Sequence, residues 1–86
     1  MPTAWVYLLR CRDGSLYTGW TVDLDRRLAR HRSGAASRYT ASRLPVELEL
    51  AIPMADRTAA RHEEARIKRL PRSAKLALLT AAQTPV

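Results

Sequence analysis

Two apolar, strand-prone runs separated by a single tight-turn signal constrain this chain more than any other feature. Residues 5–11 read Trp-Val-Tyr-Leu-Leu-Arg-Cys, aromatic and branched side chains that suit a pleated, half-buried surface. Arg12-Asp13-Gly14-Ser15 follows, and Asp-Gly is a strong hairpin turn. A second strand-like run covers about Leu16 to Thr21. The chain is therefore expected to start as a β-hairpin, and a two-stranded hairpin needs further elements to cover it.

The rest of the chain supplies them. Asp23 can cap a helix from Leu24 to Arg32, with Gly34 in the usual closing position. Leu24, Leu28 and His31 fall at i, i+4 and i+7, one face of that helix. Residues 33–45 are small, polar and basic and read as a loop. Val46 to Ile52 alternates as a half-buried strand closed by Pro53. Asp56 can cap a second helix, about Arg57 to Leu70, in which Ala60, Ile67 and Leu70 share a face. Pro71 ends it or opens the next, and Ser73 to Ala82 reads as a third helix. The order ββαβαα predicts the α/β class, an α+β sandwich: a small three-stranded antiparallel or mixed sheet flanked by helices. At 86 residues this is one domain, residues 1–86, with a core of Leu, Val, Ile, Ala and a few Trp and Tyr because Phe is absent.

Charge narrows the partner. Fifteen Lys and Arg face eight Asp and Glu, for a net +7, and thirteen of the fifteen are arginine. Arginine's planar fork fits phosphate bidentately and stays charged at any relevant pH, so nucleic acid is the expected polyanion. Cys11 is the single cysteine, which excludes an internal disulfide and a multi-cysteine zinc site. No apolar run approaches the ~18 residues that span a bilayer, and no signal peptide is apparent. A soluble cytoplasmic protein is expected.

Trp5-Val6-Tyr7, nine further residues, then Tyr17-Thr18-Gly19 and Val22-Asp23-Leu24-Asp25-Arg26-Arg27-Leu28 resemble the GIY-YIG nuclease family. That family carries its two tripeptides on neighbouring strands, followed by a helix with an arginine. The likeness is greatest to the short stand-alone YhbQ-like branch. It continues through Gly34, Ser37-Arg38-Tyr39-Thr40, Pro45-Val46-Glu47-Leu48, and Glu64 four residues before Lys68-Arg69-Leu70. Trp5 stands where the first tripeptide has glycine, and Thr18 where the second has isoleucine. The chain contains no asparagine, so the late Asn of some family repair nucleases is missing.

The resemblance implies a metal-dependent endonuclease that hydrolyses phosphodiester bonds in DNA, including structured or damaged DNA, with one Mg²⁺ or Mn²⁺. It implies that Tyr17 or Tyr7 takes a proton from the attacking water, directly or through a relay. A tyrosine near its ordinary pKa of about 10 is a poor base, so Arg or metal charge would have to favour the phenolate or a shared proton. By pattern alone both tyrosines read as core residues. Helix geometry of about 100° per residue sets Arg27 beside the buried stripe and Arg26 toward solvent. Arg27 is also the family's arginine, clamping the scissile phosphate. His31, on the apolar face, reads as a packed or capping residue, whereas the resemblance suggests phosphate contact or proton relay. Of two adjacent acids, periodicity slightly favours Glu63 as the inward one, while the family register points to Glu64 as the metal ligand. Gly19 is expected to permit close approach. Tyr39 is expected to touch backbone phosphate or a base, and Arg38, Arg43, Lys68, Arg69, Arg72 and Lys75 to extend a phosphate track. A protein partner supplying target recognition fits so small a chain. The competing reading is a non-catalytic or partner-activated nucleic-acid-binding module.

Overall fold

The β-hairpin forms around Asp13, whose carboxylate accepts the backbone N–H of Ser15 at 3.0 Å, while Gly14 takes the left-handed conformation (φ 84°) the turn requires. In the computed structural model, which describes residues 2–83, β1 is Ala4–Arg10 and β2 is Leu16–Thr21. They are followed by α1 (Leu24–Arg32), α2 (Arg38–Ala41), β3 (Glu47–Met54), α3 (Arg57–Lys68) and α4 (Arg72–Gln83). Both β2 and β3 pair antiparallel with β1, so the sheet order is β2-β1-β3 and no parallel pair is present among the described residues. The antiparallel form of the expected sheet is the one adopted.

Three local details differ from the expected pattern. Within 33–45 a one-turn helix, α2, forms because the Ser37 hydroxyl caps it by accepting Thr40 N–H at 3.1 Å. Strand β3 starts at Glu47 and runs through Pro53 to Met54; Pro53 lies opposite Trp5 on an edge strand, where a missing N–H is tolerated. The β1–β3 register shifts between Leu8 and Leu9, whose partners are Leu50 and Leu48. Glu49 is left over and turns its carboxylate to Arg10 Nε at 2.8 Å.

Strand alternation sorts β1 onto two faces. Ala4, Val6 and Leu8 pack with Ala60, Ile67 and Leu79 under α3 and α4. Tyr7, Leu9 and Cys11 pack with Leu28 and Val46 on the opposite face, toward α1. Among the described residues no helix is long and apolar enough to cross a membrane.

Candidate functional site

The site grows from one close approach. Tyr7 on β1 lies opposite Gly19 on the edge strand β2, and a Cβ at Gly19 would sit 2.5 Å from Cζ and Oη of Tyr7. Only glycine leaves room for that ring to cross β2. The Tyr7 hydroxyl then pairs with Nε2 of His31 at 2.7 Å. The other ring nitrogen, Nδ1, is 2.9 Å from Thr40 Oγ1, which lies 2.9 Å from the Ser37 hydroxyl. Tyr7, His31 and Thr40 are all fully buried. His31 reaches them because α1 places it on the same face as Leu28.

Burial sets the electrostatics of this pair. It raises the Tyr7 hydroxyl well above its ordinary value, and the neighbouring Tyr17 raises it further. The Arg27 charge and hydrogen bond oppose that rise, and the Glu64 carboxylate adds to it. Desolvation outweighs Arg27, and Tyr7 is a phenol in the protein alone. His31 is pushed from 6.5 to about 4, by burial first and by Arg27 second, and is neutral at pH 7.

A more open layer covers the buried pair. The half-buried Tyr17 ring is edge-on to His31 at 5.2 Å and stacked on Tyr39 at 6.0 Å. Its hydroxyl has no hydrogen-bond partner among the described residues. Arg43 lies 3.8 Å over the Tyr39 ring, and its Nε donates to Asp13 Oδ2 at 3.0 Å. Arg43, expected in a phosphate track, is thus neutralised by Asp13 and buckles α2 to the hairpin turn. Arg27 is half-buried and lines a groove of ≈ 430 Å³ with Arg26 and Arg30.

Glu64 arrives from the other side of the sheet. It sits on α3 in a second groove with Trp20, Thr58, Arg61 and His62, and its charge is felt at the Tyr7 hydroxyl. Its nearest cation is Lys68 at 3.6 Å, a loose pair. Glu63, by contrast, is held by Arg66 at 2.5 Å, and this ion pair keeps its carboxyl below the usual range. No group of three or more His, Cys, Asp or Glu converges among the described residues. Glu64 alone suits a hard ion that keeps most of its waters, as Mg²⁺ does, and does not suit tetrahedral zinc.

Tyr7, Tyr17, Gly19, Arg27, His31, Tyr39 and Glu64 thus gather at the β2 edge, with Lys68 beside Glu64. Arg38 is exposed on α2, one residue from Tyr39. Lys75 is on α4, the helix against β3, and β3 is the opposite edge of the sheet from β2. The sequence reading assigned no contact with the site to Thr40, Ser37 or Asp13. The first two lay in a block of the family resemblance and Ser37 in a capping position; for Asp13 the turn motif explained the residue and hid its ion pair with Arg43.

The sheet edge brings together two tyrosines, a helix arginine and a glutamate that the sequence resemblance had singled out, and the chain belongs to the GIY-YIG family. The model of the GIY-YIG catalytic domain matches residues 3–77. This is a nuclease family, acting on nucleic acid and generally using divalent metal ions. Within it the relatives are UPF0213 proteins, the group of the YhbQ-like branch. One from Xanthomonas axonopodis pv. citri is 47% identical over 88% of this chain and 74% of its own length. One from Oceanobacillus iheyensis is 47% identical over 87% of each chain. The solution structure of the UPF0213 protein from Bacillus halodurans superposes with a TM-score of 0.63 at 38% identity, covering 95% of this chain and 87% of that one.

Proposed function

We propose that this chain is an endonuclease that hydrolyses phosphodiester bonds in DNA with one divalent ion, acting on structured or damaged DNA. The observation that carries the reading is the meeting of Arg27, Tyr17 and Glu64 around the buried Tyr7–His31 pair, from both faces of the sheet. Phosphodiester hydrolysis needs a positioned water, a proton acceptor, charge relief on the phosphoryl oxygens and help for the leaving oxygen.

Tyr17 is the tyrosine that meets the attacking water, since it is half-buried with an unsatisfied hydroxyl while Tyr7 is sealed beneath it. Arg27, whose charge is felt at the Tyr7 hydroxyl, clamps the scissile phosphate. His31 acts through Tyr7 and touches no phosphate, because no part of it is exposed. Glu64 would hold the ion in place of its loose contact to Lys68. A bound Mg²⁺ or Mn²⁺ would supply charge relief and leaving-group stabilisation. Arg26, Arg30, Arg38 and Lys68 add salt-sensitive backbone affinity, and Tyr39 borders the entry. A protein partner can supply target recognition.

The test is incubation of the purified protein with hairpins, flaps, junctions and single strands, with Mg²⁺ or Mn²⁺ and with a chelator. Cleavage of at least one structure is expected, abolished by the chelator and by Tyr17→Phe. Salt-dependent binding without cleavage under every condition would contradict the reading and favour a binding module.

A further inference from the structure

The buried chain Tyr7–His31–Thr40–Ser37 contains more hydrogen-bonding capacity than the reaction explains. Its two ends each carry information about the histidine between them. At one end, the Tyr7 phenol is fully buried and its hydrogen must find an acceptor. Arg27 beside it is a donor only, so it can address the phenol oxygen but cannot take the hydrogen. The acceptor at hand is His31 Nε2 at 2.7 Å, which can take the hydrogen only in the tautomer that leaves Nε2 a lone pair. At the other end, Thr40 Oγ1 is 2.9 Å from His31 Nδ1 and can accept there while its own hydrogen points to Ser37, at 2.9 Å from Oγ or 3.4 Å from the carbonyl oxygen. A neutral imidazole carries one N–H, and its tautomer follows from the bond each nitrogen makes.

We propose that Thr40 is a positioning residue that fixes the tautomer of His31: Nδ1–H donates to Thr40 Oγ1, leaving the Nε2 lone pair to accept the Tyr7 hydroxyl. A hydroxyl is needed at position 40 because the site is fully buried and an Nδ1–H with no acceptor would be orphaned. The neutral state of His31 is consistent with a single ring proton. In this arrangement the Tyr7 oxygen keeps a lone pair for Arg27. The reverse tautomer would aim two donors, Nε2–H and Arg27, at one phenol oxygen and leave the phenol hydrogen without a place. Thr40 thereby acts on the reaction at two removes, through His31 and Tyr7 to the arginine. This consequence for cleavage rests on the nuclease reading, whereas the tautomer does not.

The experiment is ¹⁵N-resolved NMR of the imidazole nitrogens in the full chain at pH 7, with the exposed His62 as internal reference. Wild-type protein is expected to show His31 protonated at Nδ1 and bare at Nε2. Thr40→Val is expected to move the proton to Nε2, and Thr40→Ser to keep it on Nδ1. A wild-type His31 protonated at Nε2 overturns the proposal, and needs no variant to fold. An unchanged tautomer in folded Thr40→Val also overturns it. On a cleaved DNA substrate, Thr40→Val should lower kcat by about 10-fold at unchanged KM, in the range typical of residues that orient a reacting group through another, and Thr40→Ser should restore it. Absence of cleavage by wild type would sink the nuclease reading and leave the NMR result to decide the role of Thr40.

Discussion

The two faces of the sheet solve opposite problems with the same three strands. Under α3 and α4 the contacts are aliphatic: Val6, Leu8, Ala60, Ile67 and Leu79, with no requirement beyond shape. Toward α1 and α2 the sheet buries a phenol, an imidazole and a hydroxyl in one continuous chain of hydrogen bonds. Burying polar groups is tolerable only when each is satisfied, so the second face is specified by geometry where the first is specified by volume. The second face consequently carries the proposed site at its edge, and the first holds α3, and with it Glu64, against the strands. Thr18, opposite Leu8 on the aliphatic face, is the exception: its Oγ1 is buried with no hydrogen-bond partner among the described residues.

The largest effect expected from breaking this comparison is on the aliphatic face. Ile67→Ala removes a fully buried side chain and should destabilise the protein by about 2–5 kcal/mol, measured by urea unfolding. A loss below 1 kcal/mol would mean that α3 is not anchored there.

The polar face should reveal itself through pH. His31 has a folded-state pKa of about 4 against 6.5 unfolded, so between those values the unfolded chain binds the extra proton. Stability from this group is complete above pH 6.5 and lost as pH falls toward 4, on the order of 3 kcal/mol at about 1.4 kcal/mol per pH unit. Unfolding curves across pH 4–7 should show that slope, and a His31→Gln variant should lack it. An equal slope in both would place His31 in solvent.

Gly19→Ala tests the seam between the faces. The added methyl must push the Tyr7 ring away, and overpacking of this kind costs about 1–3 kcal/mol. Loss of the Tyr7–His31 hydrogen bond should accompany it, visible as a shift of the His31 ring resonances. The smallest effect is expected at Thr18: Thr18→Val replaces an orphaned hydroxyl by a methyl of similar shape and should be neutral or raise stability by up to about 1 kcal/mol. A drop of more than 1 kcal/mol would reveal a partner for that hydroxyl.

The comparison also explains what could be read from the sequence. The hairpin was legible because Asp13-Gly14 sits between two strand-prone runs, and α1, α3 and α4 because each has a period, a cap or a proline at its end. The separation of Arg27 from Arg26 was legible too, since 100° per residue divides adjacent positions; Arg27 is half-buried and Arg26 exposed. Helix α2 was not, because four residues contain too little of a period to detect. The strand through Pro53 was not, since whether a proline ends a strand depends on which edge it occupies. Thr40 escaped because its partner is nine residues away on another helix. Glu63 and Glu64 flank the buried stripe of α3 on either side, and periodicity slightly favoured Glu63 while the family register pointed to Glu64. Their difference lies in tertiary surroundings: Arg66 holds Glu63, and Glu64 faces Trp20 and the field around Tyr7.

That difference permits the most direct test of the nuclease site. The cleavage rate of structured DNA with Mg²⁺ should be compared for wild type, Glu63→Ala and Glu64→Ala, with folding checked by circular dichroism. Glu63→Ala should cut within about 2-fold of wild type, because it loses only a surface ion pair. Glu64→Ala should fall by at least about 10²-fold, the loss expected when the charge stabilisation of the transition state is removed. Cleavage by Glu64→Ala near the wild-type rate would contradict the assignment of the site.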